Sequence, residues 1–185
     1  LEGFAQAMQS EMEIMWAAKL GLSAFDAELF NELGALMVHT PVDYTLFFRE
    51  LSQIPGEIGP LKKSFYTDSN GAGAAAKPLY ETEPERMEKL WSDWLSKWRS
   101  LIGDADHSHS LDGVSEQMKR VNPKYTMREW LVAPAYQQAA MGDYSLVREL
   151  QAVMTQPYGE QSDEVEEKYN RLKPSEFFNA GGVSH

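Results

Sequence analysis

The chain has 185 residues and no cysteine, and its 28 acidic and 17 basic side chains give a formal net charge of −11. Without cysteine, disulfides, thiolate metal ligands and cysteine nucleophiles are excluded. A negative field repels phosphate backbones and anionic lipid heads, so we expect neither a nucleic-acid partner nor a membrane partner. Hydrophobic residues make up 43% of the chain, which is enough for the core of a globular domain.

Apolar residues recur at helical spacing along most of the chain, and no pair of alternating strands is visible. The sequence therefore predicts an all-α fold, with residues 1–185 forming one helical region. The predicted helices cover residues 3–20, 26–38, 41–53, 83–102, 114–121, 123–141, 144–155 and 163–172. A long loop is predicted over 55–82 and a polar loop over 103–113.

The first predicted helix is amphipathic, with Phe4, Met8, Met12, Met15 and Trp16 on one face. It has neither the basic start nor the unbroken apolar run of a secretory leader. No stretch of about 18 apolar residues exists, so no membrane span is expected. Because the chain begins inside a helix, we expect it to be part of a longer polypeptide.

The next two helices carry clear local signals. Gly34 interrupts the second helix, and close contact with another helix is the simplest reason for a glycine there. For the third helix, Thr40 is the predicted cap, Pro41 takes the first position, and Asp43 stands where a capping-box acid belongs.

Two features in the middle of the chain have competing interpretations. Trp91, Trp94 and Trp98 step along one face of helix 83–102, which suits a ligand platform or, more simply, a hydrophobic core. The long loop over 55–82 is best interpreted as linkage or disorder. Its stretch 71–76 loosely matches a dinucleotide fingerprint, but no predicted strand precedes it, so we favour no nucleotide site there.

The polar loop over 103–113 places four potential metal ligands close together, namely Asp104, Asp106, His107 and His109. Carboxylates and imidazoles bind divalent ions. Ligands so close in sequence cannot complete a coordination shell by themselves, so a solvated loop is the favoured interpretation.

The best-defined stretch of the sequence covers residues 122–158 and predicts two helices joined by a tight corner. Asn122 is the predicted cap of the first helix and Pro123 its first residue. Gly142 can adopt the left-handed conformation that ends this helix, and Asp143 can cap the next. With so short a connection, the two helices should lie side by side and antiparallel.

Four further residues of this stretch have predicted structural roles. Tyr125, Trp130 and Tyr144 are expected to be packing anchors. Arg128 is expected to form an ion pair, because a cation on a buried helix needs a carboxylate partner.

Several segments together resemble the selenoprotein O family, SelO, also called YdiU. The similar segments, in the order in which the family has them, are 18–22 (AKLGL), 43–51 (DYTLFFREL), the helix with Trp91 and Trp94, 122–125 (NPKY) with Arg128, 142–144 (GDY) with Val147, 157–158 (PY) and 181–184 (GGVS). Each segment alone is a weak signal, but jointly they cover most of the chain.

The resemblance implies the helical C-terminal part of a protein-kinase-like α+β fold whose N-terminal lobe is absent from this chain. Such enzymes, once classed as pseudokinases, transfer AMP from ATP to Ser, Thr or Tyr hydroxyls of proteins and need Mg²⁺. The family's catalytic, ATP-binding and metal-binding residues lie upstream, so none is assigned here. Its short tail with Cys or selenocysteine has no counterpart either.

The same resemblance implies a supporting role for this chain, with no AMP transfer by the chain alone. Its partners would be the N-terminal lobe and the protein substrates of the whole enzyme. Family members are mitochondrial in eukaryotes and cytoplasmic in bacteria, and are not secreted. The alternatives are a stand-alone helical interaction module and, more weakly, a metal-binding protein built on His107 and His109.

Overall fold

Helices account for most of the computed structural model, which describes residues 2–67, 79–104 and 110–177. The α-helices in these ranges are α1 (Glu2–Leu20), α2 (Ala27–His39), α3 (Tyr44–Leu51), α4 (Leu79–Thr82), α5 (Pro84–Asp104), α6 (Leu111–Val121), α7 (Glu129–Ala140), α8 (Ser145–Met154) and α9 (Asp163–Tyr169). Short 3₁₀ helices cover Pro60–Ser64 and Ser175–Phe177. The only β-type pairing in the described ranges is an isolated bridge between Val42 and Phe65. The all-α prediction is therefore confirmed for this part of the chain.

The larger hydrophobic cluster, which we call the tryptophan core, is built around α5. Trp91, Trp94 and Trp98 are buried in it. Each indole N–H donates a hydrogen bond: to the Thr40 hydroxyl at 3.0 Å, and to the carbonyls of Leu29 and Leu20 at 3.1 and 2.7 Å respectively. Burying such large rings with their polar N–H groups satisfied is strongly stabilising. The tryptophan stripe is thus a core element and not a ligand platform.

A second cluster, the hairpin core, gathers the apolar faces of α7, α8 and α9. Its buried members are Tyr125, Trp130, Leu131, Ala135, Leu150, Val153 and Tyr169. Helices α7 and α8 pack against each other, as the predicted corner between them requires. Met127 is exposed and lies in the non-helical segment before α7.

The third helix begins later than its sequence suggests. Thr40 ends α2, and α3 starts at Tyr44, with the Asp43 carboxylate accepting the Leu46 N–H at 3.0 Å. Residues preceding a proline avoid helical geometry. Pro41 is extended, and its carbonyl accepts the Tyr66 N–H at 2.8 Å. Asp43 is therefore the cap itself and not the third residue of a capping box.

The prediction of a helix starting at Asn122 is also wrong. Helix α7 starts at Glu129, residues 123–128 are not helical, and Arg128 has extended backbone angles. The Asn122 N–H closes α6 on the Met118 carbonyl at 2.8 Å, while the N–H groups of Lys124 and Tyr125 both donate to the Pro157 carbonyl. An Asn-Pro pair often marks the start of a helix, but here the Asn122 side chain hydrogen-bonds to Lys19 and Ser52 and caps no helix.

Part of the predicted long loop is ordered into the tryptophan core. Ile58, Leu61 and Phe65 are buried there, so linkage is the wrong interpretation for residues 55–67. The stretch 71–76 lies outside the described residues, as do Asp106, His107 and His109. The polar loop is shorter than predicted, because α5 continues to Asp104 and α6 begins at Leu111.

Three glycines differ in backbone conformation and in surroundings. Gly21 and Gly142 have φ angles of +67° and +89°, the left-handed conformation expected where each ends a helix. A Cβ on Gly34 would meet nothing within 4 Å, so close helix contact does not explain that glycine.

None of the helices in the described ranges has the length and the hydrophobicity that a transmembrane span requires.

Candidate functional site

A polar seam connects α3, which belongs to the tryptophan core, with residues 122–128, which lead into the hairpin core. It consists of side chains that are buried or that hydrogen-bond to another member of the seam. They come from four separate parts of the sequence: Lys19, Asp43, Thr45, Arg49, Ser52, Asn122, Lys124, Thr126, Arg128 and Glu160. Burying a polar group costs free energy unless the group has a hydrogen-bond or charge partner. The partners of these side chains therefore indicate the role of the seam.

Asp43 and Arg128 form the ion pair at one end of the seam. They are 85 residues apart in sequence, and the guanidinium binds both carboxylate oxygens, with Nη2 lying 2.8 Å from Oδ1. Asp43 also accepts the Leu46 N–H and, at 3.2 Å, the Tyr66 hydroxyl. Arg128 therefore has the carboxylate partner predicted for it, and Asp43 combines a helix cap with a charge pair.

Asn122 lies at the centre of the seam and is fully buried. Its amide nitrogen donates to the Lys19 carbonyl at 2.9 Å and to the Ser52 hydroxyl at 3.0 Å. Its amide oxygen accepts from the Lys19 Nζ at 2.9 Å. Both donors and the acceptor of this side chain are thus used, which joins α1, α3 and the end of α6.

Arg49 and Glu160 close the other end of the seam. The buried Arg49 guanidinium donates to the carbonyls of Lys119 and Asn122, both at 3.2 Å, and to Glu160 Oε1 at 2.5 Å. The second oxygen of Glu160 accepts from the Lys124 Nζ at 2.5 Å. One carboxylate therefore pairs with two buried cations from different segments, and Lys124 also donates to Glu166 at 2.7 Å, so that two carboxylates balance the two cations.

These contacts shift the titration of several groups. Burial acts to raise the pKa of Glu160, but hydrogen bonds from Lys124 and Arg49 outweigh it and lower that pKa. Burial acts to lower the pKa of Lys124, but Glu160 and Glu166 outweigh it and raise that pKa. Burial, together with the nearby Asp43 charge, raises the pKa of Tyr66 to about 12. All these groups hold their usual charge at neutral pH, as a permanent polar network requires.

An open cavity of about 520 Å³ adjoins the Asp43–Arg128 pair. Its walls include Tyr44, Thr126 and Trp130. A general base or nucleophile needs a free lone pair directed at a substrate. The Asp43 oxygens instead accept from Arg128, from a backbone N–H and from a tyrosine hydroxyl. The cavity therefore contains no free acid–base pair among these groups, and the seam acts as a structural latch.

The ATP and Mg²⁺ implied by the resemblance would require a set of ligands suited to them. A magnesium ion bound beside phosphates needs carboxylate or other oxygen ligands close together. No three His, Asp or Glu side chains in the ranges 2–67, 79–104 and 110–177 are placed to hold a metal ion. These residues do not fit such a site, so no reaction step is assigned to them.

The seam collects some of the predicted motif residues but not others. Asn122 and Arg128 are in it, Tyr125 is buried beside it, and Pro123 lies in the non-helical segment 123–128. Gly142, Asp143 and Tyr144 lie at the exposed turn between α7 and α8.

The predictions for Asp143 and Tyr144 are both wrong. The Asp143 carboxylate accepts the Ser145 N–H at 2.9 Å, which lowers its pKa, but the cap position of α8 is Tyr144 and no side chain forms a capping bond for this helix. Tyr144 is exposed, so its prediction as a packing anchor is wrong. It lies off the stripe of α8 that Leu150 and Val153 define.

Sequence reasoning did not assign roles to Lys19, Arg49, Ser52 or Glu160. A signal for Arg49 existed, because a single cation among Leu46, Phe47 and Phe48 on an apolar helix must find a buried partner. Glu160 carries no comparable signal, since its partner Arg49 is 111 residues away.

Comparison with known proteins identifies the family of this chain. The family profile described as protein adenylyltransferase SelO matches residues 1–155. The chain is 33% identical over 190 residues to the protein nucleotidyltransferase YdiU of Aromatoleum aromaticum, covering all of this chain and 33% of the relative. It is 32% identical over 179 residues to that of Methylobacillus flagellatus, covering 92% of this chain and 31% of the relative.

A third relative, the protein nucleotidyltransferase YdiU of Mycolicibacterium paratuberculosis, is 33% identical over 178 residues, covering 91% of this chain and 31% of its own length. The chain thus spans about a third of the length of the curated relatives it matches. From the profile match and these identities, the chain belongs to the SelO family of protein adenylyltransferases.

Proposed function

We propose that this chain is the helical C-terminal part of a protein adenylyltransferase with a kinase-like fold, and that it supports the catalytic lobe without contributing catalytic groups. The observation that carries this proposal is the seam. Lys19, Asp43, Arg49, Asn122 and Arg128 all lie in the segments that resemble the family, and they converge on one another. Their charges and hydrogen bonds join helices to one another and do not serve to bind a ligand.

In this proposal the whole enzyme transfers AMP from ATP to Ser, Thr or Tyr hydroxyls of protein substrates, with Mg²⁺ at the phosphates. Such transfer depends mainly on positioning and on neutralising phosphate charge. The groups that do so belong to the remainder of the polypeptide, whose N-terminal lobe is the partner of this chain. We place the enzyme in the cytoplasm of a bacterium or the mitochondria of a eukaryotic cell.

The proposal is tested by incubating ATP labelled at the α-phosphate with Mg²⁺ and a hydroxyl-rich acceptor protein. We expect label on the acceptor with the full-length protein and none with this chain alone, because the described residues hold no metal cluster and the Asp43 carboxylate is engaged by Arg128. Label transferred by the chain alone would contradict the supporting role. Absence of label with the full-length protein would contradict the proposed activity.

A matched pair of variants separates support from catalysis in the full-length protein. Arg128→Met breaks the buried pair with Asp43, whereas Arg148→Met removes an exposed arginine from α8. We expect Arg128→Met to lower the unfolding temperature but to leave the turnover of the folded fraction unchanged, and Arg148→Met to alter neither. Loss of turnover at an unchanged unfolding temperature would place Arg128 in the catalytic machinery and refute the proposal.

A further inference from the structure

Helix α1 exposes a continuous apolar stripe along its first four turns. Phe4 is 70% exposed, Met8 50%, Met12 52% and Met15 45%. At about 100° per residue, the four side chains fall within an arc of roughly 80°. They form one narrow row, which we call the α1 stripe.

The same helix buries a different face. Ala17 and Leu20 near its end belong to the buried residues, and Trp16 packs on the rings of Phe30 and Phe48 at centroid distances of 4.6 and 5.8 Å. The last turns of α1 are thus fixed on the tryptophan core. The stripe is therefore held in a defined orientation while its own side chains remain uncovered by the described residues.

The residues of the α1 stripe are of the types and spacing that bind in a hydrophobic groove. Apolar residues spaced four, four and three positions apart are the pattern by which a helix lies in a hydrophobic groove. Methionine is flexible and polarisable, so it adapts to an irregular surface. From the exposures above, the stripe offers on the order of 400 Å² of apolar surface, a size at which exposed patches are commonly binding sites.

A second copy of this chain is a poor occupant for two physical reasons. Two such stripes facing each other would bury only about 800 Å², below the ~1,200 Å² of a stable specific interface. In addition, each copy carries a net charge of −11, which opposes self-association. A segment of the same polypeptide avoids the first difficulty, because covalent linkage gives it a local concentration on the order of millimolar.

We propose that the α1 stripe docks into an apolar groove on the catalytic part of the same polypeptide, within the two thirds of the family length that lie outside this chain. This inference rests on the proposed function, in which this chain supports that part. The stripe would fix the orientation of the tryptophan core relative to the lobe that transfers AMP.

The test uses the full-length protein and hydrogen exchange of α1 followed by mass spectrometry. Met8→Asp together with Met12→Asp places two charges in the stripe. Gln6→Asp together with Ser10→Asp adds the same charges at the same four-residue spacing, at two exposed positions outside the stripe. We expect exchange in α1 to rise at least about tenfold in the stripe variant and to stay within about twofold of wild type in the control. Equal exchange in the two variants would overturn the proposal.

A second measurement keeps the test valid if the stripe variant folds poorly. A photo-crosslinking residue in place of Met12 should yield a crosslink, within a single polypeptide, to a residue outside this chain. A crosslink between two copies would overturn the proposal, as would a crosslink confined to this chain. AMP transfer by the wild-type protein is measured in parallel: its absence with the expected crosslink refutes the proposed activity but not the docking, and its presence without that crosslink refutes the docking alone.

Discussion

Replacing Asp43 by alanine is the sharpest test of the polar seam. The buried carboxylate caps α3 through the Leu46 N–H and pairs with both ends of the Arg128 guanidinium. Losing a helix cap costs about 1 kcal/mol. Leaving Arg128, which is only 14% exposed, without its partner costs about 3 kcal/mol. We therefore expect Asp43→Ala to lower the free energy of unfolding by about 4 kcal/mol.

Asp26→Ala is the matched control. Asp26 caps α2 by accepting the Leu29 N–H at 2.8 Å, but no ion pair to it is seen in the described ranges, so its removal should cost only about 1 kcal/mol. Urea unfolding followed by circular dichroism measures both variants. The difference of about 3 kcal/mol between them isolates the Asp43–Arg128 pair from the cap.

A double-mutant cycle with Arg128→Met completes this experiment. If the pair acts as a unit, the double variant should be more stable than the sum of the two single losses predicts, because neither charge is left buried alone. If Asp43→Ala costs no more than Asp26→Ala, or if the two seam substitutions are additive, the latch interpretation is wrong.

Two further predictions concern pH and backbone conformation. Because contacts in the folded state lower the pKa of Glu160 below its ordinary value of 4.5, its contribution to stability is present above pH 4.5 and is lost as the pH falls through the lowered value. The urea midpoint should therefore drop in acid, and Glu160→Gln should reduce that drop; an unchanged drop would refute the network. Gly142→Ala should lower the free energy of unfolding by about 1 kcal/mol, because an alanine is strained in the left-handed backbone conformation. Gly21→Ala should cost about 1–3 kcal/mol more, because a Cβ there would lie 2.7 Å from the Met118 sulfur. Equal unfolding midpoints for the two glycine variants would contradict this account.

Local sequence patterns located most helices, but they placed the starts of α3 and α7 too early and the start of α6 three residues too late. The apolar stripe of α5 and the left-handed glycines at positions 21 and 142 are local properties, and the structure agrees with them. The starts at Pro41 and Pro123 failed for a common reason. A proline can occupy the first position of a helix or belong to an extended segment before the helix. The local sequence looks similar in both cases, and long-range contacts decide between them.

The candidate site was only partly accessible to sequence reasoning. The need of Arg128 for a carboxylate follows from the cost of burying a lone charge. The choice of Asp43, among 28 acidic residues, does not follow from any local pattern. Asn122 shows the same limit: as a residue type it favours helix caps, yet its buried side chain joins Lys19 to Ser52.

The amino-acid sequence by itself determined the helical class, the tryptophan-rich core face and the family to which the chain belongs, because periodicity and motif order are written along the chain. Only the tertiary structure decided which charges meet in the seam and which apolar stripe stays uncovered on α1. Both depend on contacts between residues far apart in sequence, such as the 111 positions between Arg49 and Glu160, and on burial that no local pattern records.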